Sequence, residues 1–293
     1  MTSLRAAARD VFRHFPRPIR RAAFRLAGRP FPAAPDKPAS ASPTTDPDAG
    51  SGTDGAGFNR SYIGSRPDLV ERLPSSCRNV LDLGCATGEV GAAVKRRIPD
   101  ARVTGVELDP SMAAIAATKL DRVVAADLEN AEAIAGQLAG QPFDGVLAGD
   151  ILEHLVDPWR TLRILTTVLA PDAVVVASLP NVGFWDTSWN VLVRKRWPYR
   201  PRGIHDSTHL RFFARRNLEP LFAQAGYRVE RIDRSYRLIE RPHRRNRFAR
   251  FVAVPGLRDL LTFQFLVIAR REAGIAVELD RPHGDHPELI PPV

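Results

Sequence analysis

Along residues 80–270 the hydrophobic and polar positions keep two rhythms. Short runs rich in valine, leucine and alanine predict strands at 80–83, 102–108, 122–128, 143–150 and 173–179, with later ones at 227–232 and 262–270. Between them, apolar residues at helical spacing predict helices from Glu89, over 110–120, over 131–138, from Pro158 to about 169, and over 215–225. A further short helix is expected at 67–73. Asp157 followed by Pro158 is an N-cap with proline at the first helical position, which sets the start of one helix. The run AVVVASL at 173–179 is apolar throughout, as strands buried on both faces are. Strands alternating with helices predict an α/β fold, a doubly wound sheet that is mostly parallel with an antiparallel last strand. There is no internal repeat.

The organising stretch is VLDLGCATGEVG at residues 80–91. A strand carrying Asp82 runs into a loop with Gly84, Ala86 and Gly88, and a helix starts beyond it. Small residues let the chain turn tightly and let a ligand reach the main chain, and the helix start offers free N–H groups. About twenty residues further on, the second strand ends in Glu107, followed by Leu108 and Asp109. An acid at that place is the ribose-hydroxyl ligand of a Rossmann-like nucleoside-binding unit. The third predicted strand ends in Asp127, Leu128 and Glu129.

Composition narrows the picture further. The 293 residues are 44% hydrophobic, enough for a substantial core, and no stretch approaches the ~20 apolar residues of a membrane span. A net charge of +9, carried mostly by arginine, favours anionic partners without choosing among nucleic acid, acidic lipid and phosphorylated substrate. The two cysteines, Cys77 and Cys85, lack metal-site spacing and suit a reducing compartment. Residues 1–29 are basic and amphipathic, with no secretory signal, and 30–57 read as a disordered linker. The folded domain is expected over 58–272, with Tyr62 and the helix at 67–73 over the cofactor entrance, and 273–293 form a loosely attached tail. The N-terminal segment fits an anionic membrane surface or a partner. A transit peptide, helices packed on the body and a floppy basic tail stay open beside it.

DLGCATG resembles the first motif of class I S-adenosylmethionine (SAM) dependent methyltransferases, where D/E-x-G-x-G-x-G is usual. Ala86 stands in for the middle glycine. DILEHLVDPWRTL, SLPNVGFW and GIHDSTHLRFFARRNLEPLFAQAGY are similar to a bacterial group of these enzymes. That group accompanies polysaccharide or glycan assembly and is related to ubiquinone-pathway O-methyltransferases. The likeness covers roughly residues 58–272. Ala170-Pro171-Asp172-Ala173 departs from the usual Pro-Gly-Gly turn.

The resemblance implies SAM as cofactor, held by Asp82, Gly84, Ala86, Gly88, Glu107, Leu108, Asp127, Leu128 and Asp150. Asp127 and Leu128 are expected at the adenine and Asp150 at the methionine end. Ligands of such sheets bind beyond the carboxyl ends of the strands, so His154 is the first candidate for the base, with His209 and His205 as rivals. In the ubiquinone-pathway relatives a carboxylate-x-x-Glu-His segment can hold a divalent metal, and Asp150, Glu153 and His154 match it. With Asp150 assigned to the cofactor, no metal is expected. The implied activity is O-methylation of a hydroxyl on a sugar, glycan or small-molecule intermediate. The location is cytoplasmic, at the membrane periphery if residues 1–29 bind lipid. An RNA methyltransferase and a non-catalytic SAM-binding scaffold are the rival readings. The absence of N-P-P-[Y/F] after the fourth strand weighs against amino-group methylation of bases; the arginines over 228–250 and the Arg194-Lys195-Arg196-Trp197 run still fit RNA phosphates, although nucleic acid is not the expected partner.

Overall fold

The computed structural model describes residues 64–140 and 142–272. The readings made for residues 1–29, 30–57 and 273–293, and for Tyr62, lie outside the described residues. A seven-stranded sheet runs β3-β2-β1-β4-β5-β7-β6. Its strands are β1 (Asn79–Leu83), β2 (Arg102–Glu107), β3 (Arg122–Ala125), β4 (Phe143–Gly149), β5 (Leu169–Pro180), β6 (Tyr227–Tyr236) and β7 (Thr262–Arg271). β1 to β5 pair in parallel, and β7 lies antiparallel to both β5 and β6. The order reverses between β1 and β4, and a ligand crevice opens at such a switch point.

Period-two alternation sorts each central strand onto two cores. Leu81, Val146, Val175 and Val267 face one side, against helices α4 (Ala131–Leu138), α5 (Pro158–Leu165) and α7 (Arg215–Ala223). Val80, Leu147, Val174 and Ile268 face the other, against α1 (Pro67–Val70), α2 (Glu89–Arg97) and α3 (Pro110–Ala116). A short turn, α6 (Trp185–Ser188), continues as π-helix over Trp189–Val193. Fully burying a side chain such as Leu147 or Leu81 contributes about 1.5–3 kcal/mol.

Local chemistry accounts for the helix starts. Asp157 caps α5 by accepting from the Arg160 N–H at 2.9 Å, as its pairing with Pro158 predicts. Asp109 caps α3 in the same way, from the Ser111 N–H at 2.7 Å. Boundaries shift where tertiary pairing governs. β3 stops at Ala125 because its one partner, β2, ends at Glu107. β5 starts at Leu169, four residues early, because Leu169 pairs with Phe143 across a register shift. No described helix is long and apolar enough to cross a membrane.

Candidate functional site

Two cavities meet beyond the carboxyl ends of β1 and β4. The first, about 550 Å³, is walled by the loop after β1, by the end of β2 and by α1. Gly84 and Gly88 take the left-handed backbone, with φ +65° and +81°, and Ala86 joins them at φ +47°. For a residue with a Cβ that conformation costs about 1–2 kcal/mol. Glu107 holds it in place: one carboxylate oxygen accepts from the Ala86 N–H at 2.8 Å, the other from the Asp109 N–H at 2.9 Å. Gly105 and Gly91 let this loop pack closely. A Cβ on Gly105 would lie 2.5 Å from Cys85 Sγ, and one on Gly91 2.5 Å from Leu120 Cδ2.

Asp82 lines the same cavity and is buried, with Oδ2 unpartnered. Burial pushes its carboxyl up to about 7, with the Gly91 N–H opposing and the Glu107 charge adding to the rise. A donor-bearing ligand would supply the missing partner. Glu107, Leu108, Asp109 and Met112 close one end of the cavity, so a carboxylate and an apolar surface stand side by side there. This donor and acceptor set suits a nucleoside with a charged tail.

Most of the expected cofactor residues gather here: Asp82, Gly84, Ala86, Glu107, Leu108 and Asp150 line the cavity. Gly88 acts one step back, as the N-cap of α2 packed on Ala116. Asp127 and Leu128 do not line it. The chain leaves β3 before reaching them. Asp127 is exposed and accepts from the Glu129 N–H at 3.0 Å, and Leu128 is buried in the core. The adenine contact read from them in the sequence therefore has no support in this geometry.

Asp150 and His154 line both cavities and mark their junction. Asp150 is left-handed at φ +53°, and its carboxylate is taken up by Arg66, Ser178 and Gln264. Arg66 carries no sequence signal of this role; it comes from the start of α1, 84 residues away. Arg66, the N-cap of α1, and Leu69 within it border the first cavity.

His154 is oriented through a short relay. Thr208 Oγ1 donates to Asp206 Oδ1 at 2.8 Å and lies 3.1 Å from His154 Nδ1. The hydroxyl has one proton, so Nδ1–H donates to it and Nε2 keeps its lone pair. Burial holds the His154 pKa below the usual histidine range, against the pull of Asp206 and the Thr208 contact. His209 packs edge-on against it with ring centroids 4.7 Å apart, and its Nδ1–H donates to the Ile204 carbonyl at 3.2 Å. Burial and the neighbouring His154 lower the His209 pKa as well.

His205, the third candidate, lies elsewhere. It is fully buried, lines neither cavity, and contacts Thr187 Oγ1 through Nε2 at 3.0 Å. Burial, with Arg200 nearby, depresses its pKa to about 4. Packing of α6 and the Trp197 ring, 5.1 Å away, turned it inward, so its expected place among the catalytic groups is corrected to a core role.

Glu153, His154 and His209 each bring a possible metal-ligating atom within 4.8 Å of the others. This is not the sequence set of Asp150, Glu153 and His154, because Arg66 occupies the Asp150 carboxylate. Burial and the Asp150 charge raise the Glu153 carboxyl well above its ordinary range.

The second cavity, about 500 Å³, is walled by the end of β5, the 200–209 loop, the chain between β6 and β7 and the start of β7. Glu153, His209, Arg237 and Phe263 are among its lining residues. The chain after β6 contributes Arg237, Glu240, Arg241 and Pro242 to that wall.

Comparison with known proteins identifies the family. A methyltransferase-domain family model matches residues 34–232. The trans-aconitate 2-methyltransferase of Escherichia coli (strain K12 / DH10B) is 32% identical over 155 residues, 48% of this chain and 58% of that protein. That of Escherichia fergusonii gives the same figures. The chain thus spans less than two thirds of the length of these curated relatives. Among solved structures, an S-adenosylmethionine dependent methyltransferase from Mesorhizobium loti aligns with a TM-score of 0.48 at 19% identity, over 70% of this chain and 96% of that one. The family match covers more than half of the chain: the protein belongs to the methyltransferase-domain family.

Proposed function

We propose that this protein transfers a methyl group to an oxygen of a small-molecule acceptor, a hydroxyl of a sugar or glycan intermediate being the reading carried from its motifs. The observation that supports this is the junction: His154 stands where a nucleoside-sized cavity opens into a second one. Bound SAM supplies an electrophilic methyl on its sulfonium. The chain's own work is to hold, align and deprotonate. Glu107 is suited to the ribose hydroxyls, Asp82 to a donor on the ligand, and the Gly84–Gly88 loop to close approach of the main chain. His154, oriented through its Nδ1 contact with Thr208 and held below the usual histidine range by burial, serves as general base for an acceptor hydroxyl. His209 and Glu153 shape the acceptor side.

A second reading rests on the curated relatives, whose name specifies trans-aconitate. There the accepting oxygen is a carboxylate, already nucleophilic, and His154 only orients it.

One experiment separates the two. Purified full chain with SAM is offered neutral sugars and polycarboxylates in parallel, and mass spectrometry looks for products one methyl heavier. Methylation of a sugar supports the first reading and of a polycarboxylate the second. Methyl gain in neither pool, with RNA methylated instead, would overturn both.

Cofactor binding carries its own prediction. Glu107→Ala removes the carboxylate and frees the Ala86 and Asp109 N–H groups, so SAM affinity should fall about 10-fold or more. Titration calorimetry with unchanged affinity would remove Glu107 from the cofactor site.

A further inference from the structure

The charges around the second cavity are unevenly matched. Its arginines fall into two groups. Arg200 is paired with both Asp186 and Glu240. Arg202, Arg237 and Arg241 line the same cavity, and among the described residues no carboxylate lies within 4.0 Å of any of them. Arg237 is the informative one. It is half-buried, its Nη1 donates to the Glu240 carbonyl at 2.6 Å, and its guanidinium carbon sits 3.9 Å from the centroid of the Phe263 ring. Stacking fixes the plane of the fork and leaves other N–H groups to find acceptors. Burial and the charge of Arg66 both oppose its protonated form. A cation in such a place calls for an anion.

The acids on the same wall are engaged already. Arg66, Ser178 and Gln264 take up Asp150. Arg200 and the Ile204 N–H hold Glu240, and Asp206 accepts from Thr208. Glu153 is fully buried, its side chain 1% exposed and 4.0 Å from His209 Nε2, so it offers little to a ligand in the cavity. What remains for a ligand is a set of cations.

We propose that Arg237, with Arg202 and Arg241, forms an anion-recognition subsite that holds a carboxylate or phosphate group of the methyl acceptor. The inference deepens the acceptor assignment made above and rests on that cavity being the acceptor site. The planar fork of Arg237 can grip two oxygens of one anionic group, and the two exposed arginines at the rim add attraction during entry. The acceptor is then bifunctional, with an anionic handle at Arg237 and its reacting oxygen toward His154.

The test uses the full chain and three probes: citrate, inorganic pyrophosphate and the neutral polyol sorbitol. Each is titrated calorimetrically with and without S-adenosylhomocysteine. Citrate or pyrophosphate is expected to bind, more weakly as salt rises, and sorbitol not to bind. A preference for citrate marks a carboxylate handle, and a preference for pyrophosphate a phosphate handle. Arg237→Ala should weaken anion binding about 10-fold or more, with Arg237→Lys recovering only part of it, since an ammonium cannot reproduce the fork. S-adenosylhomocysteine affinity should stay unchanged in both variants. Should Arg237→Ala fail to fold, the double change Arg202→Ala with Arg241→Ala, both at exposed positions, should still lower anion affinity. Arg216→Ala, on the exposed face of α7, is the control for general charge loss. If neither anion binds the wild-type chain, or the control weakens binding as much as the cavity variants do, the subsite is overturned. Failure of S-adenosylhomocysteine to bind would count against the methyltransferase reading alone, because the anion titrations are read without it.

Discussion

His154→Ala is expected to lower turnover by about 10²- to 10⁴-fold while SAM affinity persists, the range for losing a positioned general base. The expectation rests on three observations. His154 lines both cavities, Thr208 fixes its Nδ1–H as a donor, and burial keeps the ring neutral below the usual histidine range. The sign of the pH dependence follows. The active form is unprotonated, so activity is retained as pH falls and is lost only below the ordinary histidine value of about 6.5. His154→Gln should be equally poor, because an amide orients but takes no proton at neutral pH. Thr208→Val should shift the acid limb of the rate profile and lower kcat more than it raises KM, since it removes the group that sets the tautomer. His209→Ala should act mainly on acceptor affinity, and His205→Ala on stability. If His154→Ala leaves turnover intact, alignment alone suffices, and the carboxylate acceptor replaces the hydroxyl.

The second large effect concerns the cofactor loop. Gly105→Ala places a methyl 2.5 Å from Cys85 Sγ and 2.8 Å from Leu120 Cδ1, in the strand directly beside β1. The Cys85 N–H is tied to the Val106 carbonyl at 3.0 Å, so the loop cannot move aside without losing that bond. Overpacking of this kind costs about 1–3 kcal/mol. At about 2–4 °C per kcal/mol for a domain of this size, Tm should fall by several degrees. SAM affinity should fall with it, because Cys85 and Ala86 line the cavity. Cys85→Ala added to Gly105→Ala returns space to the methyl and should recover most of the loss. The double-mutant cycle reads this directly as a coupling energy of opposite sign to the single costs. Additive single effects would mean that the two residues do not contend for the same volume.

Several features followed from the sequence alone because their causes are local. The strand–loop–helix at residues 80–91 shows in its apolar run and small residues, and Asp157-Pro158 carries its own capping chemistry. Alternating strands and helices specified the parallel sheet, and the last strand lies antiparallel in it. Glu107 was legible because its distance from the loop is set by one helix and one strand.

Side-chain arrangement was decided by packing between segments far apart in the chain. Asp127 was expected at the end of β3, yet β3 loses its partner two residues earlier, and Asp127 does not line the cavity. Three histidines at 154, 205 and 209 looked alike as polar residues beyond the strands. The fold brought two of them edge to edge and buried the third behind Thr187. Arg66 clamps Asp150 from 84 residues away, and Arg237 rests on Phe263 with no carboxylate within 4.0 Å among the described residues. Periodicity reports which face a residue takes in its own element. Which groups then meet, and which charges stay unmatched, depends on how those elements dock, and that was decided only when the two hydrophobic layers closed on the sheet.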